Sequence, residues 1–180
     1  MKKMTAAVLV LGMAFSGTLP AQAATKSEIE SKIDGTLSRF YQEVSNGKDL
    51  IKKAKGVLIF PAVYKAGIGI GGEYGEGALQ IHGKSADYYS TAAASIGLQL
   101  GAQKKSIIVV FTQNEALEKF RLSSGWKAGV DASIAVIAVG AGGSMDTSKL
   151  NQPVIAFVMD QKGLMYNLTL EGAKFTKLNK

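Results

Sequence analysis

The chain has 180 residues, a formal net charge of +7, one histidine and no cysteine. This composition excludes disulfides and metal sites built from several His or Cys ligands, so a packed core must supply the stability, and no cofactor is expected. The modest positive charge favours anionic partners such as phospholipid headgroups, nucleic acid or acidic proteins, without choosing among them.

The first 23 residues have the pattern of a secretory signal peptide. Two lysines precede an apolar stretch from 6 to 15, which is too short to cross a membrane, and an Ala-Gln-Ala sequence ends at Ala23. We expect cleavage after Ala23 and a single mature domain of residues 24–180 in the periplasm or cell envelope. An exported protein meets membrane lipid far more often than nucleic acid, so no nucleic-acid partner is expected.

Two helices are predicted at the start of this domain. The first covers residues 27–44, because its apolar side chains recur at spacings of three and four and therefore share one face. These side chains are Ile29, Ile33, Leu37, Phe40 and Val44. The stripe fits packing on a core and insertion into a membrane, and we favour core packing. The second helix covers residues 48–55 and leaves its lysines in solvent.

A glycine-rich stretch follows at residues 66–77, in which six of the twelve residues are glycine. Glycine permits sharp bends and close approach of two backbones. The spacing Gly67-x-Gly69-x-x-Gly72 also matches a dinucleotide-binding fingerprint, but that site requires a helix immediately afterwards. Glycines and acidic residues follow instead, so we interpret the stretch as a strand and expect Glu73 and Glu76 to flank a turn.

Short strands dominate the rest of the chain. They are predicted at residues 57–60, 78–82, 88–103 (one bent strand or two), 107–111, 126–139, 153–159 and 164–170, with a final edge strand at 175–178. The run at 107–111 is apolar on both faces, which is typical of a strand in the middle of a covered sheet. Residues 160–163 predict a hairpin turn, and Asp131 and Asp146 are interpreted as turn or strand-end residues.

One further helix interrupts these strands. Thr112 and Glu115 have the spacing of a capping box, which predicts a helix from about Gln113 to Leu122. The fold class is therefore α+β, a single domain with N-terminal helices packed on a strongly bent antiparallel sheet that is sandwich-like or barrel-like.

No pattern in the chain indicates catalysis. The segment 93–97 has a faint similarity to a nucleophile elbow, but the only base available, His82, precedes Ser95, whereas that fold places histidine last. We therefore do not expect an enzyme.

Eight segments, taken together and in order, carry a family resemblance over most of the mature chain. They are residues 54–61 (AKGVLIFP), 71–77 (GGEYGEG), 88–90 (YYS), 97–103 (GLQLGAQ), 125–126 (GW), 129–132 (GVDA), 140–143 (GAGG) and 163–172 (GLMYNLTLEG). This set resembles the SYLF domain, a lipid-binding domain family of bacteria and eukaryotes. The resemblance implies a lipid-binding domain. It also implies phosphoinositide and actin binding for eukaryotic members, whereas for an exported bacterial member anionic phospholipids are the expected ligands.

The resemblance further implies that membrane contact involves the N-terminal region and its basic residues. The candidate lipid-binding residues are Lys48, Lys52, Lys53, Lys55, Lys65, Lys104 and Lys105. A lysine beside an anionic membrane contributes about 1 kcal/mol. A run of lysines is also the ordinary composition of a solvated helix face. A non-catalytic structural or protein-interaction module of the envelope, with an envelope protein as partner, therefore stays open as the alternative, and oligomeric state is not determined by the sequence.

Overall fold

A computed structural model describes residues 23–97, 103–140, 147–159, 170 and 172–180, with only the backbone described at 66–70, 95–97 and 147–148. The helices are α1 (Lys26–Glu43), α2 (Gly47–Lys53) and α3 (Asn114–Leu122), and a 3₁₀ turn covers Thr147–Asn151. The strands are β1 (Gly56–Ile81), β2 (Lys84–Gly97), β3 (Gln103–Phe111), β4 (Trp126–Lys127), β5 (Ala135–Ala138), β6 (Val154–Met159) and β7 (Lys174–Leu178).

Helix α1 begins at a capping box and packs on the sheet. The Thr25 side chain accepts from the Glu28 backbone N–H, and the Glu28 carboxylate accepts from the Thr25 backbone N–H at 2.7 Å. These two bonds satisfy N–H groups that the first turn of a helix leaves without partners. Ile29, Ile33 and Phe40 are at most 2 % exposed and join a core with sheet residues. The prediction that the apolar stripe packs on the core is therefore confirmed.

The described strands form one sheet in the order β4-β7-β2-β1-β3-β6-β5. Five of the six strand pairs among the described residues are antiparallel, and β5 runs parallel to β6. The α+β single-domain prediction is confirmed, with a mixed sheet because of this one pair. Strand β3 lies between β1 and β6 and is buried on both faces from Lys105 to Phe111, as its apolar run predicted.

Strand β1 doubles back on itself. A straight strand of this length would extend about 85 Å. A Cβ placed on Gly77, however, would lie only 2.0 Å from the Ile59 carbonyl oxygen, and one on Gly75 would lie 2.7 Å from that of Ala62. The chain therefore reverses within the glycine-rich stretch. The N-terminal arm (56–65) pairs with β3 and the C-terminal arm (69–81) pairs with β2. The close approach of two backbones, which was predicted from the glycines, is confirmed. If the two arms of β1 are counted separately, the sheet has eight extended segments among the described residues.

A hydrophobic core covers each face of the sheet. On one face, Leu117 and Phe120 of α3 join residues from Trp126 at one end of the strand order to Val158 near the other end. Because distant strands share this core, the sheet curls around α3 as a half-barrel. Helices α1 and α2 cover the opposite face, where the rings of Phe40 and Phe157 meet edge to face at 4.9 Å between centroids.

Two predictions in the second half of the chain are wrong. Thr112 does not cap α3, because its hydroxyl donates to the Gln152 carbonyl at 2.8 Å and the helix begins at Asn114. Residues 126–139 are not one strand. Asp131 accepts from the Lys127 backbone N–H at 2.6 Å, and this turn separates β4 from β5. The role of Asp131 as a turn residue is thereby confirmed.

Several other predictions differ from the structure in detail, and some concern residues that the structure does not describe. Glu73 and Glu76 lie within β1 and do not flank a turn, and the tight turn instead contains His82 at φ 51° and Gly83 at φ 75°. The strand at 175–178 is confirmed as β7, but β4 pairs with its outer side, so it is not an edge. Asp146, the turn at 160–163 and the strand at 164–170, apart from its last residue, lie outside the described residues.

Candidate functional site

The seven predicted lysines occupy two different environments. Lys48, Lys52 and Lys53 lie on α2 and Lys55 follows it directly, and all four side chains are exposed. None of these four forms an ion pair with a described residue, while the Lys48 ammonium lies 6.0 Å from the centroid of the Tyr41 ring. The remaining three lysines are on the strands: Lys65 on β1, and Lys104 and Lys105 on β3.

Packing of α2 divides its lysines between two grooves. Leu50 and Ile51 are partly buried against the core and fix the orientation of the helix. Lys48 and Lys52, four residues apart, therefore share one side and border a groove of about 610 Å³. Lys53 borders a second groove of about 450 Å³ on the other side of the helix. Lysines that are close together in the sequence thus lie on two different sides of the helix.

The groove beside Lys48 and Lys52 joins three parts of the fold. Tyr41 comes from the end of α1, Gln80 from the end of β1, and His82 from the turn that leads into β2. Two ammonium groups, an aromatic ring and an imidazole therefore line this surface, together with the carboxylate of Asp49. We call the surface formed by Lys48, Lys52, Tyr41, Gln80 and His82 the α2 groove.

The strand lysines are largely engaged with a carboxylate. Lys105 is 7 % exposed and its ammonium lies 2.6 Å from a Glu73 carboxylate oxygen. Lys65 approaches the other Glu73 oxygen at 3.8 Å. Lys104 is exposed and pairs across the ladder with Tyr64. Lys65 and Lys105 therefore stabilise Glu73 within the sheet, and Lys105 presents little charge to solvent.

A third concavity lies at the start of α1, and the sequence did not predict it. Its volume is about 320 Å³ and its walls are mainly apolar, including Ile29 and Pro61. Two aromatic residues at its mouth are unusually open, with Tyr64 55 % and Tyr74 50 % exposed. Exposed tyrosines on a strand carry no distinctive pattern in the sequence, so nothing there pointed to this cavity.

Glu76 forms the polar wall of this cavity and has three partners. One carboxylate oxygen accepts from the Tyr74 hydroxyl at 2.8 Å, and the other accepts from Lys180 Nζ at 2.8 Å and the Ala24 backbone N at 3.0 Å. Burial alone would raise the pKa of Glu76, but the bonds from Lys180 and Tyr74 outweigh burial and lower it. Burial and the neighbouring Glu76 raise the pKa of Tyr74 to about 12.

The described part of the chain contains neither a cluster of metal ligands nor a helix that could span a membrane. Within it, no three His, Asp or Glu side chains come close enough together to hold a metal ion. None of its helices combines the length and the apolar character that a membrane span requires.

Comparison with known proteins finds a family match in the second half of the chain. A search of curated proteins found no match. Among protein-family models, residues 92–180 match Ysc84, described as "Las17-binding protein actin regulator". The match begins within β2 and extends to the last residue, so it includes Lys104 and Lys105 but not α1, α2 or β1. Ysc84 is the SYLF domain family that the sequence segments resembled, and the match over residues 92–180 confirms that resemblance.

Proposed function

We propose that this protein is an exported lipid-binding protein that docks on anionic phospholipid membranes through the α2 groove. Its family consists of lipid- and actin-binding regulator domains rather than known enzymes. The observation that carries the proposal is the pair Lys48 and Lys52, both exposed beside one groove and without an ion pair to a described residue. Lysines that have no carboxylate partner keep their charge available for an external anion.

Peripheral, electrostatic binding fits the packing better than insertion of α1. Ile33 and Phe40 are 0 % exposed, and moving them into lipid would require α1 to leave the sheet. Each lysine near an anionic surface contributes about 1 kcal/mol, and this attraction decays over a Debye length of about 10 Å at 0.1 M salt. Lys48 and Lys52, with Lys53 and Lys55 as further exposed cations, therefore supply several kcal/mol at low salt and much less at high salt.

The predicted export determines which anion is proposed. A chain processed after Ala23 would meet bacterial phosphatidylglycerol and cardiolipin in the envelope, and no cytoskeletal actin. The actin regulation in the family description is therefore not proposed for this chain. Phosphoinositides and these bacterial lipids have the phosphate ester in common, so the same cationic surface suits both.

The test is co-sedimentation of the exported protein with vesicles. One set of vesicles contains phosphatidylglycerol and cardiolipin, and the other contains only phosphatidylcholine. Each set is tested at about 50 mM and about 500 mM salt, a tenfold difference in ionic strength. We expect binding to the anionic set alone, and only at low salt. The double variant Lys48→Gln/Lys52→Gln should bind about thirtyfold more weakly, since it removes about 2 kcal/mol.

A matched control separates the α2 groove from net charge. Lys119→Gln/Lys127→Gln removes the same two charges from exposed positions on α3 and β4. Lys119 forms only an exposed pair with Glu115, so its loss should have little effect on folding. Equal weakening by the two double variants would show that only net charge matters, and equal binding to both vesicle types would refute the electrostatic mechanism.

A protein-interaction module is the second candidate, favoured by the words "Las17-binding" in the family description. It predicts a complex with an envelope protein that forms without lipid. Absence of vesicle binding at low salt, together with a lipid-independent complex between the two purified proteins, would favour this candidate over the first. A chain that remains monomeric by light scattering and forms no such complex would contradict it.

A further inference from the structure

The carboxylate of Glu76 is a built site that the proposed function does not use. Its side chain is 6 % exposed, and that of Lys180, its ion-pair partner, is 13 % exposed. The backbone N of Ala24 lies 3.0 Å from the same oxygen that Lys180 contacts, and Lys180 Nζ also donates to the Ala24 carbonyl. Thus one nearly buried carboxylate is directed at the main chain one residue beyond the predicted cleavage site.

Cleavage at that site would change the chemistry of this contact. Hydrolysis of the Ala23–Ala24 peptide bond adds one water, leaves a carboxylate on Ala23 and releases an amine on Ala24, which is protonated at neutral pH. We infer that Glu76 is the receptor for the new amino terminus, so that processing converts a neutral amide hydrogen bond into an ion pair. The inference rests on the export that the proposed function also assumes.

The neighbouring charges explain why a receptor is needed. Thr25 caps α1, so an ammonium on Ala24 lies beside the positive end of the helix dipole. Glu28 of α1 already accepts from the Thr25 backbone N–H and hydroxyl. The other groups facing this site are Lys32 of α1, Tyr74 and Glu76 of β1, and Lys180 of the C-terminal segment. Glu76 is therefore the carboxylate placed to offset an ammonium among these cations.

The first measurement is the intact mass of the protein purified from the cell envelope, which should correspond to a chain beginning at Ala24. The second is the pH dependence of chemical labelling of its α-amino group, followed on the N-terminal peptide by mass spectrometry. The ordinary pKa of an α-amino group is about 7.7–8.0, and pairing with the Glu76 carboxylate should raise it. Labelling at pH 8 should then be several-fold slower than in an unpaired chain.

Substitutions identify the carboxylate responsible. Glu76→Gln should restore the ordinary labelling rate, whereas Glu73→Gln, which removes another strand carboxylate with lysine partners, should leave the slow rate unchanged. If Glu76→Gln does not fold, Lys180→Gln still tests the site, because it removes the competing cation and should slow labelling further. A Lys180→Gln rate that is unchanged or faster would overturn the inference.

The outcomes separate this inference from the proposed function. An amino terminus at Ala24 with an ordinary labelling rate refutes the Glu76 receptor and leaves export and vesicle binding intact. An amino terminus elsewhere refutes the processing on which the inference depends. Slow labelling in a protein that binds no vesicle supports the receptor and refutes the lipid proposal.

Discussion

Replacing Gly77 with alanine should destabilise the fold strongly. Among the β1 glycines whose surroundings are described, Gly77 leaves the least room for a Cβ atom. The reason is the reversal of β1, which brings its two arms into backbone contact. The added Cβ would lie 2.0 Å from the Ile59 carbonyl oxygen, 2.8 Å from the carbonyl carbon and 2.8 Å from the Phe60 ring. A side chain can rotate away from such a contact, but a strand backbone held in the sheet cannot.

The size of the effect follows from this geometry. Ordinary contacts of a Cβ begin at about 3.4 Å, so the arms must separate by more than 1 Å at this point. Overpacking a closely packed interior costs about 1–3 kcal/mol, and a clash with fixed backbone lies at the upper end or beyond. We therefore expect a loss of about 3 kcal/mol in the free energy of unfolding. For a domain of this size, that loss corresponds to a decrease in Tm of about 6–12 °C.

Urea unfolding followed by circular dichroism measures this loss directly. Gly72→Ala is the matched control, because it adds the same methyl group to the same strand with the nearest atom, the Ala93 carbonyl oxygen, at an ordinary 3.8 Å. The control should change stability by no more than about 0.5 kcal/mol. If Gly77→Ala were as stable as the wild type, or if both variants lost the same amount, the close approach of the two arms would be wrong.

Three further predictions concern α1, α3 and an ion-pair cluster. Gly35→Ala should raise the free energy of unfolding by about 0.5–1 kcal/mol in urea melts, because Gly35 lies inside α1 with open space around it. Phe120→Ala should lower it by about 3–5 kcal/mol, since this 1 % exposed ring fills the core under the curled sheet, and fluorescence of the single tryptophan reports the unfolding. Burial alone would raise the pKa of Asp87, but Lys177 and Arg121 outweigh it and lower the pKa. The stabilisation from Asp87 is therefore present above its unfolded pKa of about 4 and is lost as the pH falls through the lower folded value. Asp87→Asn should accordingly be less stable than the wild type at pH 7, and thermal melts down to pH 2.5 should show the difference shrinking below about pH 4; a constant difference would contradict the pairing.

The sequence predicted those features that depend on local periodicity. Helix α1 was expected at 27–44 and is found at Lys26–Glu43, because its core-facing residues repeat at helical spacing. Residues 126–139 were predicted as one strand because apolar residues lie on both sides of the turn, which is closed by bonds from the Lys127 N–H to the Asp131 side chain and from the Asp131 N–H to the Lys127 carbonyl. Asp131 was interpreted as a turn or strand-end residue, but only the folded structure shows that its turn divides the segment into two strands.

In the candidate site, too, contacts between residues close in the sequence could be predicted and contacts between distant residues could not. Lys104 and Lys105 are adjacent and look equivalent in the sequence, but strand alternation exposes Lys104 and turns Lys105 towards Glu73. The Glu76 site escaped prediction for a stronger reason. Two of its three partners, Ala24 and Lys180, are 52 and 104 positions away in the chain, and only the folded sheet brings them together.

The positions of these features along the chain decide what the family match can explain. The matched region, 92–180, contains most of one core but not β1, which lies between β2 and β3 in the sheet. Without β1 neither of those strands has its inner partner in the sheet. The α2 groove and Glu76 both lie in that N-terminal half. The family match therefore supports the scaffold, whereas the proposed membrane docking and the proposed amino-terminal receptor rest mainly on residues 24–91, where substitutions at Lys48, Lys52 and Glu76 test them independently of the family.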